Sequence, residues 1–223
     1  MAVNTLETGY PTVDDILNKT LKTDKINLFE STLKNTNREG IDSVIDFVRS
    51  TDFYIAPSSA NYHSNYEGGL LDHSLLVYIL AMRYREPLIA MRPELADKLP
   101  EESIIISTLL HDICKTNFYK RVLKWRKNTE TNVWETYESY DIEDSFPIGH
   151  GEKSVIMLQN FGLKLSAEEM IAIRYHMGSW DGAMLTNDVK YSYMKAMDNY
   201  PLMVLVQMAD NSSSLLLETK IQN

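Results

Sequence analysis

The sequence holds one cysteine, Cys114, in 223 residues, so no intrachain disulfide can form and a reducing compartment is the natural home. It has no surplus of positive charge: 22 Lys and Arg stand against 31 Asp and Glu, a formal net charge of −9. Proteins that grip long nucleic acid draw much of their affinity from neutralised phosphates, so this balance speaks against a dedicated DNA or RNA binder. It does not speak against a small phosphorylated ligand, because bound cations supply local positive charge that a residue count ignores. Apolar runs long enough to span a bilayer are missing. The opening residues, MAVNTLETGYPTVDD, lack the basic and apolar regions of a signal peptide. A cytoplasmic protein without a membrane partner is the expectation. Repeats, linkers and low-complexity tracts are also missing, so residues 1–223 read as one domain, with a helical extension over about 1–50 and a core over about 55–217.

What is present is enough apolar material for a sizeable core, 44% of residues, mostly arranged at helical spacing. Thr12 to Lys34 carries scattered apolar positions, and Ile41, Val44, Ile45, Phe47 and Val48 form a clear stripe. Helical patterns return at about Leu71–Arg85, Glu101–Ile113, Glu152–Phe161, Ala167–His176 and Pro201–Leu217. Ser166, followed by Glu168 and Glu169, marks a helix start. IAPSSANYHSNYEGG reads as a loop. One segment breaks the helical pattern. Phe118–Lys127 and Val133–Ile142 are rich in aromatic and β-branched residues, and read as a β-hairpin inserted at about 118–142. Its first arm is basic and its second acidic, which predicts cross-strand charge pairing on a solvated face. A flap beside a pocket is the other reading.

The histidines carry the chemistry. His73, the pair His111–Asp112, His176 and Asp210 each lie in or end a helical stretch that is otherwise oily. A buried imidazole or carboxylate is costly unless paired or bound to metal. One such residue alone is more often a hydrogen-bonded core side chain, but four segments with the same anomaly are resolved together by a shared ion. Imidazole and carboxylate without thiolate suit Fe, Mn, Zn or Ni, as one or two divalent ions. His150 lies between two glycines at a helix start, where the backbone is free to aim it. Cys114 reads as a small packed residue without thiol chemistry. Asp72 and Glu67 read as supporting or solvent-facing residues rather than catalytic ones.

A helix bearing one His, a second ending in His-Asp and a later helix bearing Asp resemble the HD superfamily of metal-dependent phosphohydrolases. The residues are His73, HDICK at 111–115 and Asp210 in MADNSS. HSNYEGGLLDHSLL is similar to the HH-x-x-GGLLEH stretch in the HD domain of YhaM-type 3′→5′ exoribonucleases, and GHGEKS and RYHMG to the further histidine motifs of that group. The resemblance covers about Ile55 to Leu217 and implies an all-α HD-domain helical bundle around a buried metal site. It implies His73, His111, Asp112 and Asp210 as ligands of a first ion. His150 and His176 would hold a second, with Asp112 as the bridge. Lys115 matches the lysine of HD-x-G-K, which meets substrate phosphate. Cys114 departs from the glycine of that motif. The exoribonucleases carry an OB-fold domain before the HD part, and the first 50 residues here are too short and too helical to supply one, which counts against RNA.

The reaction so implied is hydrolysis of a phosphomonoester or phosphodiester, of a nucleotide above others, by a water activated between two ions, with Asp112 and Lys115 as the catalytic pair. His63, ten residues before His73, either contacts the substrate with Lys115 or lies at the surface. Two other classes stay open: a mixed-valent di-iron oxygenase on the same ligands, and a non-catalytic metal-stabilised interaction module.

Overall fold

The computed structural model describes residues 11–17, 22–182 and 186–219. It is an all-α bundle with one inserted β-hairpin. Val13–Leu17 (α1) and Lys22–Lys34 (α2) lie within the first expected helical stretch, and Ile41–Ser50 (α3) follows. α2 rests on the two central helices, Gly69–Met91 (α4) and Glu101–Leu109 (α5). Phe29 and Leu33 of α2 and Val44, Ile45 and Val48 of α3 enter one continuous core with both of them.

α4 is the axis of the fold, with every residue from Gly69 to Ile79 buried. Such a helix has no water face, so the ionisable residues it carries must find partners inside the protein. The Gly-Gly pair sets its start. Gly68 takes a left-handed φ of 89°, and a Cβ on Gly69 would stand 1.9 Å from the Ser64 carbonyl oxygen, so the loop before α4 folds back tightly over its first turn. The helix continues beyond the expected end at Arg85, through Pro87, to Met91. Proline removes one helical N–H, tolerable here because the last turns are largely exposed.

α5 differs more consequentially. The periodicity predicts a helix to Ile113, but α5 stops at Leu109, and His111 and Asp112 stand in a turn leading to a single 3₁₀ turn, Ile113–Lys115. The cause is local: the His111 ring donates from Nδ1 to the Thr108 carbonyl at 2.7 Å, occupying the oxygen that the Asp112 N–H would use if the helix ran on. The expected placement of the pair on a helix is therefore corrected.

His150–Asn160 (α6) and Ala167–Tyr175 (α7) pack on each other, α7 capped by a reciprocal Ser166–Glu169 box. Asn187–Asn199 (α8), absent from the sequence reading, precedes Pro201–Ser212 (α9). α9 packs against both α4 and α7, then widens into a π turn over Ser213–Leu217 instead of running on as α-helix.

The hairpin pairs Tyr119–Lys127 (β1) with Trp134–Ile142 (β2), from Tyr119 opposite Ile142 to Lys127 opposite Trp134. Arg126 meets Glu135 at 2.7 Å and Lys124 meets Asp141 at 2.8 Å, as the charge pattern predicts. The other face presents Leu123, Trp125, Trp134 and Ile142 to solvent. No helix among the described residues is long and apolar enough to cross a membrane.

Candidate metal centre

Five elements bring the predicted residues to one place. His73 comes from the first turns of α4, His111 and Asp112 from the turn after α5, His150 from the first residue of α6, His176 from the end of α7 and Asp210 from α9. His73, His111, Asp112 and His176 are at most 1% exposed.

Asp112 is the centre. Its Oδ2 lies 3.6 Å from His73 Nε2 and 3.4 Å from His111 Nε2, while its Oδ1 lies 2.6 Å from His150 Nε2 and 3.4 Å from His176 Nε2. One carboxylate thus presents a different oxygen to each of two histidine pairs. Asp210 Oδ1 lies 3.2 Å from His73 Nε2, which joins it to the first pair.

The orientation of the rings follows from their outer nitrogens. His111 Nδ1 donates to the Thr108 carbonyl and His176 Nδ1 to the Ile173 carbonyl, each at 2.7 Å. His73 Nδ1 donates to Glu218 Oε1 at 2.7 Å. Each ring so tethered turns Nε2 inward. His73 Nε2 and His111 Nε2 stand 3.2 Å apart, and two lone pairs do not face each other at that distance without a cation or a proton between them. Nitrogens held about 2.0–2.1 Å from one transition-metal ion stand roughly 3 Å from each other, so the donor set and its spacing fit such an ion. A fixed N–H partner on the far side of each imidazole is the arrangement that metal-ligating histidines use.

The electrostatics agree. Burial works against a charged His73, yet Glu218 and Asp210 raise its pKa to about 10, so a proton occupies Nε2 when no ion does. Asp112, although burial opposes its charge, is held well below the carboxylate range by Lys115 and the surrounding histidines. Burial lowers His111 and His150, in spite of Asp112. His150 has the opposite tautomer to the other rings: Nε2 donates to Asp112 Oδ1, and Nδ1 faces Cys114 Sγ at 3.3 Å. Burial pushes the Cys114 thiol up to about 12, so it stays protonated. Cys114 is not among the residues with positive φ, so this backbone has no requirement for glycine at that position.

Lys115 Nζ donates to Asp112 Oδ2 at 2.6 Å and also lines the adjoining cavity. That cavity, about 450 Å³, opens from the cluster between the loop carrying Tyr62 and His63, the turn carrying Met177 and Trp180, and the end of α9. His63 is in its wall, with Nε2 buried and without a hydrogen-bond partner, and burial lowers its pKa to about 4. No residue of β1 or β2 lines it. Asp72 points away, buried against Lys25 at 2.5 Å and Tyr66 at 2.9 Å, and Glu67 pairs with Arg121 at the surface.

Sequence reasoning missed Glu218. Its side chain is fully buried and accepts hydrogen bonds from Ser64 and Ser213 besides His73. A glutamate directly after Leu215, Leu216 and Leu217 was the available signal, but only the π turn brings it inward.

A helical bundle enclosing a His/Asp cluster of this make-up defines a class of buried-metal-site domains. Within that class the chain belongs to the HD domain family, which matches residues 70–215. It is also similar to a dihydroneopterin 2',3'-cyclic phosphate phosphodiesterase of Methanocaldococcus jannaschii, 30% identical over 88 residues, which are 40% of this chain and 31% of that protein. The match thus spans about a third of that relative's length. No solved structure matches the chain.

Proposed function

We propose that the chain is a metal-dependent phosphoester hydrolase with a dinuclear site. The observation that carries this reading is Asp112, whose two oxygens each face a separate pair of histidines. His73, His111, Asp112 and Asp210 would hold one divalent ion, and Asp112, His150 and His176 the second; Fe, Mn, Zn and Ni all suit these donors. Bound ions supply Lewis acidity and a water of lowered pKa at neutral pH.

The chain's own groups have separate tasks. Asp112 spans both ligand sets and keeps them in register. Lys115, buried and positively charged, exchanges its bond to Asp112 for a phosphoryl oxygen and stabilises charge that builds there. His63, neutral near pH 7, offers its unpartnered Nε2 to the ester from the cavity wall. His150 gives up the proton it shares with Asp112 before it can act as a ligand through Nε2.

A phosphorylated small molecule, a nucleotide above others, is the substrate we infer, in keeping with the cyclic phosphate ester named for the archaeal relative. RNA, the substrate of the exoribonucleases that the GGLLDH stretch resembles, is disfavoured by the net charge of −9. Metal analysis of the protein as purified, followed by a phosphoester panel with Mn²⁺ in anaerobic buffer, tests the reading. Hydrolysis that disappears in Asp112→Ala is the expected result. Substrate-dependent O₂ uptake in a parallel aerobic assay, with no hydrolysis in the anaerobic one, would replace it with an oxygenase.

A further inference from the structure

The cavity beside the cluster has a composition that the hydrolytic reading does not explain. Two large aromatic side chains in its lining, Tyr62 and Trp180, are 83% and 69% exposed. Apolar rings left so open at the mouth of a concave site are contact surfaces awaiting a partner. Their backbones are tied down. Tyr62 donates its N–H to Ser59 Oγ at 2.8 Å, and the Ser59 hydroxyl donates to the His63 carbonyl at 2.7 Å. Trp180 donates its N–H to the Met177 carbonyl at 3.1 Å, and Asp181 beside it is held by Arg174 at 2.6 Å. Both rings thus project from ordered turns, so a ligand that lies against them has little backbone to order.

The charges of the lining are equally selective. Lys115 is the only Lys or Arg among the described lining residues. The wall from Lys115 to the rim includes apolar Met177 and Leu215, and Asn211 is the amide able to read the edge of a ring. A triphosphate or an oligonucleotide needs cations along its path, and the described residues of this path supply none beyond the floor. A cavity of about 450 Å³ accommodates one small ligand rather than a polymer.

From these observations we propose that Tyr62 and Trp180 determine specificity for an ester with one phosphoryl group on a molecule carrying one planar aromatic ring. The ring lies against the two side chains while the phosphoryl end reaches Lys115. The inference rests on the phosphoester reading above, which fixes the orientation of the ligand.

The test separates binding from turnover. In Trp125→Phe/Trp134→Phe protein, Trp180 is the sole tryptophan. Its fluorescence is titrated on metal-loaded protein with linear and cyclic nucleoside monophosphates, ribose 5-phosphate, ATP and a trinucleotide. Saturable quenching by the monophosphates is expected, with affinity at least about tenfold weaker for ribose 5-phosphate, ATP and the trinucleotide. Trp180→Ala and Tyr62→Ala should each raise KM for the ring-bearing ester by about tenfold and leave KM for the ring-less ester unchanged. Equal binding of ring-bearing and ring-less esters, tighter binding of ATP or the trinucleotide, or unchanged KM in both variants overturns the inference. Selective binding without hydrolysis of any ester would sustain the ring site and overturn the hydrolase reading instead.

Discussion

The histidine cluster and the hairpin treat charge in opposite ways. In the cluster, His73, His111, Asp112 and His176 sit at 1% exposure or less, and each has a partner within 3.6 Å. On the hairpin, Arg126 and Glu135 meet at 2.7 Å with side chains 62% and 37% exposed. Similar distances carry very different energies, because water screens the second pair and not the first. The hairpin is the most conspicuous charge pattern in the sequence and is screened by water; the cluster is hidden in oily segments and holds the buried His/Asp groups.

The contrast is broken most severely at Asp112. Asp112→Ala leaves Lys115 without its anion, and loss of one partner from a buried pair costs about 3–5 kcal/mol. Chemical denaturation of metal-free protein should show that loss, and metal analysis should show the bound ions gone. Next comes Glu218. Glu218→Ala frees the outer nitrogen of His73 and should weaken metal binding by about 10–100-fold in a competition titration, with Glu218→Gln recovering part of it.

Third is pH. His73 has a folded pKa raised from 6.5 to about 10, so its proton stabilises the metal-free fold fully below pH 6.5, a contribution lost progressively as pH rises towards about 10. Denaturation midpoints of metal-free protein should fall over that window. Midpoints of metal-loaded protein should fall less, since an ion has already displaced the proton. Smallest is the hairpin: Arg126→Ala should change stability by under about 1 kcal/mol, and added salt should mask even that.

The site was legible because five of its residues are anomalies of a simple kind, polar groups in apolar stretches, and these share one location with His150, set apart by its flanking glycines. The hairpin was legible from its alternation, with each strand starting one residue later than expected. The end of α5 was not, since Ile113 continues the helical spacing and only the side-chain bond from His111 to Thr108 breaks it. α8 was missed because it buries little, Ala196 being its one buried residue. Tyr62 and Trp180 gave no sign of a shared cavity, because they are 118 positions apart and no periodicity links a loop to a 3₁₀ turn.

The tethers on the three imidazoles differ in reach. His111 and His176 are each held by a carbonyl three residues upstream, so these two rings are set as soon as their own turns form. His73 is held from 145 residues away. The site therefore has two self-setting members and one conditional member, and its completeness reports on whether the end of the described chain has docked. Shortening the protein to Leu217 should leave His111 and His176 in place and His73 free to rotate, turning a folded domain into one that holds its ion poorly.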